Sequence, residues 1–153
     1  MRGAIIVATL AGLLPATLLG PPVRAAPQGV WAIDAEVAVQ IFDCGTELCG
    51  RIVWLRDSRD LQGLLNSDKR NPDVRLRKQL LCGLTILGGL RRAGPSRWAS
   101  GWFYNPQDGQ TYDVKAEIES PDVITARIYT GLPLFGQTKT LLRVPQLHSE
   151  GWC

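Results

Sequence analysis

Histidine is nearly absent from this 153-residue chain, and the short motifs that hold catalytic nucleophiles are missing. The single histidine is His148, and the chain has no Gly-x-Ser-x-Gly segment. A general base beside an activated nucleophile is therefore not part of the pattern. His148 stands in a tail without hydrophobic alternation, where we expect a solvated side chain. The sequence predicts that the protein is not an enzyme.

Metal and redox motifs are missing as well. The four cysteines include no Cys-x-x-Cys pair, and the single histidine, His148, lies over sixty residues beyond Cys82, which is poor zinc-ligand spacing. The carboxylates of residues 56–79 lack the alternating spacing of a calcium loop and are interleaved with arginine and lysine. We expect neither a metal ion nor a cofactor.

One long uncharged run occurs, at residues 4–19, between a basic start and a stretch of small residues. This order is typical of a signal peptide, and small residues favour cleavage after Ala25. The run is shorter than the roughly 20 residues that span a bilayer, and Pro15 interrupts it. The sequence predicts a signal peptide at residues 1–25 and one domain at 26–153. We expect a periplasmic or secreted protein without a transmembrane segment after cleavage.

The charge of the mature chain is close to neutral. Cleavage would remove Arg2 and Arg24 and leave fifteen basic and fourteen acidic residues. A balance so close to neutral gives no electrostatic surface for a phosphate backbone. Nucleic acid is therefore not an expected partner.

All four cysteines fall in the predicted mature chain, and an oxidising compartment favours disulfides over metal ligation. Cys44 and Cys49 flank a loop of hairpin length and could bridge two strand ends, while Cys49 with Cys82 is the rival pairing. Cys153 could stay free or join another chain. The sequence leaves a monomer or a dimer open.

Apolar residues alternate with polar ones along most of the mature chain, clearest at residues 111–119. Such alternation is typical of half-buried antiparallel strands. The predicted strands are 30–33, 36–43, 48–55, 81–90, 96–104, 111–119, 123–130 and 138–144. Even spacing and short turns are typical of an all-β sandwich or of an all-β, eight-stranded antiparallel up-and-down barrel. Within the long polar loop 56–79, Asn71-Pro72-Asp73 predicts one short helix at about 72–78.

Specific motifs resemble known families. Gly29-Val30-Trp31 on the first strand and Arg143 on the last resemble the pair that lipocalins use to close the barrel base, where a guanidinium covers the indole. Further motifs along residues 29–144 are Cys44-Gly45, Leu48-Cys49-Gly50-Arg51-Ile52-Val53-Trp54-Leu55, Asn71-Pro72-Asp73, Leu81-Cys82-Gly83-Leu84, Tyr104-Asn105-Pro106, Asp108-Gly109-Gln110-Thr111-Tyr112 and Gly131-Leu132-Pro133-Leu134-Phe135-Gly136. Together they resemble a bacterial family of small exported proteins filed as a domain of unknown function, with lipocalin-like (calycin) barrels. The resemblance implies the barrel and the closing roles of Gly29, Trp31 and Arg143. It implies no activity and no ligand.

An eight-stranded barrel either fills its interior with side chains or holds one small molecule. The candidate interior residues by alternation are Val39, Ile41, Trp54, Trp102, Tyr104, Tyr112, Val114, Ala126 and Ile128. Apolar and aromatic walls suit a small hydrophobic or amphipathic ligand. The alternative is a solid core filled by Trp54, Trp102 and Tyr112, in a protein that binds a partner or the envelope surface through loop 56–79. We expect the apolar segment 131–136 to plug one barrel end rather than form an exposed patch.

Overall fold

The computed structural model describes residues 26–145 and residue 153. Eight antiparallel strands each pair with the next, and the last pairs with the first, which closes the barrel. The strands are β1 (Gly29–Ile33), β2 (Val37–Cys44), β3 (Glu47–Leu55), β4 (Thr85–Arg92), β5 (Arg97–Asn105), β6 (Gln110–Ser120), β7 (Val123–Tyr129) and β8 (Gln137–Arg143). The predicted fold class is confirmed. The predicted signal peptide and His148 lie outside the described residues.

The barrel wall has two ends. The β1–β2, β3–β4, β5–β6 and β7–β8 connections leave the wall at one end, called here the open end. The β2–β3, β4–β5 and β6–β7 turns lie at the opposite end, which is called the closed end because Trp31 and Arg143 cover it. Antiparallel pairing of consecutive strands makes this division unavoidable, since every second connection falls on the same side.

The inward faces of the strands supply the core. Trp31, Leu90, Trp98 and Ile118 belong to one buried apolar cluster, and a second cluster is built around Ile52 and its neighbours. Burying each large apolar side chain contributes about 1.5–3 kcal/mol. The period-two alternation of the sequence therefore corresponds to a dry interior and a wetter outer wall.

The β3–β4 connection is ordered but contains less helix than predicted. Instead of a helix at about 72–78, the structure has a single 3-10 turn at Val74–Leu76 with Asp73 as its N-cap. Asn71 precedes the cap, and its side chain makes other local hydrogen bonds: its Nδ2 donates to Asp68 at 2.7 Å, and its Oδ1 accepts from the Asp73 N–H at 2.9 Å. The capping role therefore falls two residues later than the sequence predicts.

The expectation that segment 131–136 plugs the barrel is wrong. A 3-10 turn at Pro133–Phe135 places the segment beside the cavity mouth, where Phe135 and Gly136 join the cavity lining and the large side chains stay exposed. Leu134 and Phe135 are 79% and 78% exposed. Arg127 fixes the segment from the wall, donating to the Pro133 and Leu134 carbonyls at 2.8 and 3.0 Å.

Within residues 26–145 and 153, no helix has the length and apolar character that a membrane crossing requires.

Candidate ligand-binding cavity

A cavity of about 610 Å³ occupies the barrel interior toward the open end. Its deep wall is aliphatic and comes from several strands, including Ile41 of β2, Val114 of β6 and Leu141 of β8. Phe103 of β5 adds an aromatic surface. The volume lies within the range of small-molecule sites, which are mostly apolar with a few polar groups that set orientation. The interior is therefore not the solid core that the sequence left open as an alternative.

Six of the nine residues predicted to face the interior line this cavity. They are Val39, Ile41, Tyr112, Val114, Ala126 and Ile128. The other three, Trp54, Trp102 and Tyr104, are absent from the lining. Trp102 is 40% exposed, and its indole lies on the backbone of Gly88, where a Cβ would come within 2.6 Å of the ring. The prediction that these three side chains point inward is wrong.

Two β-bulges explain the three misplaced residues. In β3, Trp54 pairs with Ala38 and Ile52 with Val39, so one extra residue, Val53, lies between them. In β5, the register shifts between Trp98 and Gly101, where Ser100 has a positive φ of 62°.

A bulge inserts one residue and reverses the inside–outside alternation beyond it. Leu55 and Phe103 consequently line the cavity in place of Trp54 and Trp102. Alternation alone predicts neither, because Val53 and the positive-φ residue Ser100 are not residue types that mark a bulge in a sequence.

Polar groups gather at the cavity mouth on the β5–β6 turn. The Asp108 carboxylate accepts hydrogen bonds from the Tyr112 hydroxyl and the Asn105 amide, both at 2.8 Å, and from the Gln110 N–H at 2.8 Å. Burial opposes ionisation of Asp108, but the hydrogen bonds from Gln110 and Tyr112 outweigh it and lower its pKa. The same bond raises the pKa of Tyr112. The mouth therefore presents an ionised carboxylate and a neutral phenol.

A charged pair lies on the opposite side of the mouth. Lys139 of β8 contacts Asp34 of the β1–β2 turn at 2.5 Å, and both line the cavity. Among the described residues, the lining contains no histidine, cysteine or serine. The arrangement can hold a molecule and hydrogen-bond its polar end.

A clamp outside the wall holds the long β3–β4 connection against the β5–β6 turn. Asp68 is fully buried, and its carboxylate accepts from the Tyr104 hydroxyl at 2.8 and 2.9 Å and from Asn71. Arg70 donates to the Gln107 carbonyl. Burial, and then the bond to Asp68, raise the pKa of Tyr104 to about 12. Tyr104, predicted as a ligand contact, is thus a structural anchor beside the mouth.

The structure brings Gly29, Trp31 and Arg143 together at the closed end. Trp31 is fully buried, and the Arg143 guanidinium lies 4.2 Å from its ring centroid. Arg143 donates to the carbonyls of Ala26, Gln28 and Pro121 at 2.7, 2.9 and 2.7 Å. These three acceptors come from the chain before β1 and from the β6–β7 turn, so one guanidinium ties both to β8.

The cysteines form two disulfides. Cys44 bonds to Cys49 across the β2–β3 turn, with Cα atoms 5.8 Å apart. Cys82 bonds to Cys153. The alternative Cys49–Cys82 pairing and a free Cys153, both left open by the sequence, are therefore wrong. The Cys153 N–H also donates to the Val53 carbonyl at 3.2 Å, so the last residue is held against β3. Sequence spacing gave no signal for this long-range pair.

Residues 29–143 match a family described as "Uncharacterized protein conserved in bacteria (DUF2147)". The chain belongs to this family. Members of DUF2147 are therefore the relatives in which the motifs of Gly29-Val30-Trp31 and Arg143 should be compared. No curated protein matches the chain in sequence.

The fold is also similar to that of a solved structure, HP1028 from the human pathogen Helicobacter pylori, which is described as belonging to the lipocalin family. The two share 22% sequence identity with a TM-score of 0.71, over 79% of this chain and 84% of that one. At this identity the likeness shows a lipocalin-like fold. It carries no ligand from one protein to the other.

Proposed function

We propose that this DUF2147 protein is an exported, non-enzymatic carrier that binds one small hydrophobic or amphipathic molecule inside its barrel. The observation that carries the proposal is the open-ended cavity of about 610 Å³ with an aliphatic floor and a polar mouth. An apolar molecule gains about 25 cal/mol for each Å² of surface removed from water, and a preformed cavity limits the ordering cost.

The polar mouth favours an amphipathic ligand over a purely apolar one. Asp108 and Tyr112 lie at the same edge of the cavity, and the described residues place no cationic side chain within 4 Å of Asp108. A ligand with a hydroxyl or ammonium group at its polar end could donate to this carboxylate. A carboxylate at the same position would face repulsion.

Export is a separate part of the proposal, and the disulfides support it. Two disulfides tie the chain, and disulfides persist in oxidising compartments. This is consistent with the signal peptide predicted at residues 1–25.

Filling the cavity tests the carrier function. Ala126 lies on β7 in the cavity wall, so Ala126→Phe places a ring where the ligand would lie. We expect binding of the neutral probe N-phenyl-1-naphthylamine, followed by its fluorescence, to weaken at least tenfold. Mass spectrometry of the purified protein should show a copurified small molecule in the wild type and its loss in the variant.

The matched control is Ala32→Phe. Ala32 lies on β1 between the inward-facing Trp31 and Ile33, so its side chain is on the outer wall. This variant should bind the probe like the wild type. Equal binding by all three proteins, with no molecule retained by the wild type, would contradict the carrier function.

A further inference from the structure

Exposed apolar side chains concentrate at the open end of the barrel. Of the eleven large hydrophobic side chains exposed within residues 26–145, nine lie in the β3–β4 and β7–β8 connections. In an eight-stranded barrel these two connections stand four strands apart, on opposite sides of the mouth. Clusters of exposed apolar surface mark interaction sites more often than scattered single residues do.

The two connections differ in charge. Residues 69–80, called here the basic rim, carry five lysines or arginines and one aspartate. Residues 131–136, called here the apolar rim, carry no charge. Within the basic rim, Val74 and Leu76 are 67% and 45% exposed and alternate with the cationic side chains.

Much of the positive charge on the basic rim is available to a partner. Asp73 pairs with Arg75 at 2.7 Å, while Lys69 pairs with Asp60 of the same connection at 3.1 Å. Among the described residues, Arg77 and Lys78 have no carboxylate within 4 Å. The acidic residues at the mouth are mostly satisfied by neighbours, since Asp34 pairs with Lys139, Glu36 pairs with Arg56, and Asp108 accepts from its own turn.

The basic rim is held in place before any partner arrives. Buried Asp68 anchors its start to Tyr104, and Arg70 reaches the Gln107 carbonyl of the neighbouring turn. At its other end, Leu81 lines the cavity. A partner that contacts the rim therefore meets a preformed surface directly beside the cavity mouth, and the ordering cost is low.

We propose that the open end of the barrel docks onto a bilayer surface containing anionic phospholipid. Interleaved basic and apolar side chains are the composition that binds such surfaces, because cations meet the headgroups while apolar side chains enter the acyl boundary. Phe135 and Leu134 of the apolar rim enter the boundary on one side of the mouth, and Val74 and Leu76 enter it on the other. Arg75, Arg77 and Lys78 lie over the headgroups.

Vesicle flotation tests the docking surface. The exported chain, with its N-terminus read by intact mass, is mixed with phosphatidylcholine vesicles that contain about one-third phosphatidylglycerol, or with pure phosphatidylcholine. We expect binding to the anionic vesicles and at least tenfold weaker binding to the neutral ones. The variant Arg77→Gln/Lys78→Gln should bind anionic vesicles at least tenfold more weakly, since each cation near such a surface contributes about a fivefold factor. Leu134→Ser/Phe135→Ser should show a similar loss.

The controls carry the same chemistry on the barrel wall. Lys115→Gln and Leu142→Ser change an exposed lysine of β6 and a 55% exposed leucine of β8, and both should bind vesicles like the wild type. Docking is overturned if anionic vesicles do not bind the wild type, or if the controls lose as much binding as the rim variants. It is also overturned if soluble dextran sulfate retains the chain equally and the apolar variant changes nothing, since the surface would then be a general polyanion site.

Docking is tested separately from the cavity through the basic rim, because none of residues 69–80 lines the cavity, whereas Phe135 of the apolar rim does. The variant Arg77→Gln/Lys78→Gln is also assayed for the probe N-phenyl-1-naphthylamine, which it should bind like the wild type. Lost docking with retained probe binding separates the two proposals, and the cavity variant Ala126→Phe should show the reverse.

Discussion

At the closed end of the barrel, Arg143 donates to three backbone carbonyls and covers a Trp31 that is fully buried. At the open end, Leu134 and Phe135 are exposed over more than three-quarters of their surface, next to a cavity of about 610 Å³. One barrel therefore combines an end whose aromatic side chain is buried under a bound guanidinium with an end whose large apolar side chains face water. Stability should depend mainly on the first, and binding on the second.

The largest expected change in stability comes from comparing an aromatic residue at each end. Trp31→Ala should lower the free energy of unfolding by about 3–5 kcal/mol, because it empties a fully buried site and removes the support of the Arg143 guanidinium. Phe135→Ala should change it by less than about 0.5 kcal/mol, because the ring is mostly in water. Urea unfolding followed by circular dichroism measures both. Similar losses of unfolding free energy in the two variants would show that the closed end does not stabilise the fold more than the open end.

A smaller effect is expected from a glycine at each end. Gly29 has a φ of +127°, and a Cβ there would lie 2.7 Å from Arg143 Nη1. Gly29→Ala should therefore cost about 2–3 kcal/mol, through backbone strain and a displaced guanidinium.

Gly131 has a φ of +71° with open space around it. Gly131→Ala should cost about 1 kcal/mol, from strain alone. Thermal unfolding of both variants, with Trp fluorescence as a report on the indole beside Arg143, gives the difference. If Gly131→Ala were as costly as Gly29→Ala, the closed end would not be the tighter of the two.

The closed end could be predicted from the sequence far better than the open end. Strand alternation indicates the eight strands, since regular β pairing follows a period of two, and the lipocalin-like resemblance carried by Gly29-Val30-Trp31 and Arg143 implies the barrel and its closure. Even at the closed end, the cation–π contact of Arg143 and its three carbonyl acceptors are visible only in the three-dimensional structure.

The open end depends on features that leave a weak trace in sequence. The bulges at Val53 and near Ser100 reverse the alternation, so a strict period of two predicts an inward position for Trp54, Trp102 and Tyr104, which lie outside the cavity. The Asp68–Tyr104 bond joins residues 36 positions apart, and nothing local to either residue indicates it. Long-range pairings of this kind depend on the tertiary fold.

The boundary between the two ends is set by the Asp68–Tyr104 clamp, which holds the basic rim beside the mouth. The pKa of Tyr104 is about 12 in the folded protein, raised by burial and by the bond to Asp68, against an ordinary value of 10.0. A group whose pKa is raised by folding stabilises the fold below its unfolded pKa, and this contribution is lost as pH rises through the folded value. The contribution of Tyr104 should therefore be complete below about pH 10 and disappear by about pH 12.

Tyr104→Phe isolates this contribution. At neutral pH the variant should be less stable by about 1.5 kcal/mol, because the buried Asp68 carboxylate loses a donor while Asn71 still bonds to it. Between pH 10 and 12 the wild type should lose stability more steeply than the variant, so that the two unfolding curves approach each other. Tyr129→Phe, which changes a tyrosine at the cavity mouth, is the matched control and should leave the difference in slope unchanged. Parallel pH curves for wild type and Tyr104→Phe would mean that the clamp contributes nothing to holding the rim, and the open end would then be even less constrained than the structure indicates.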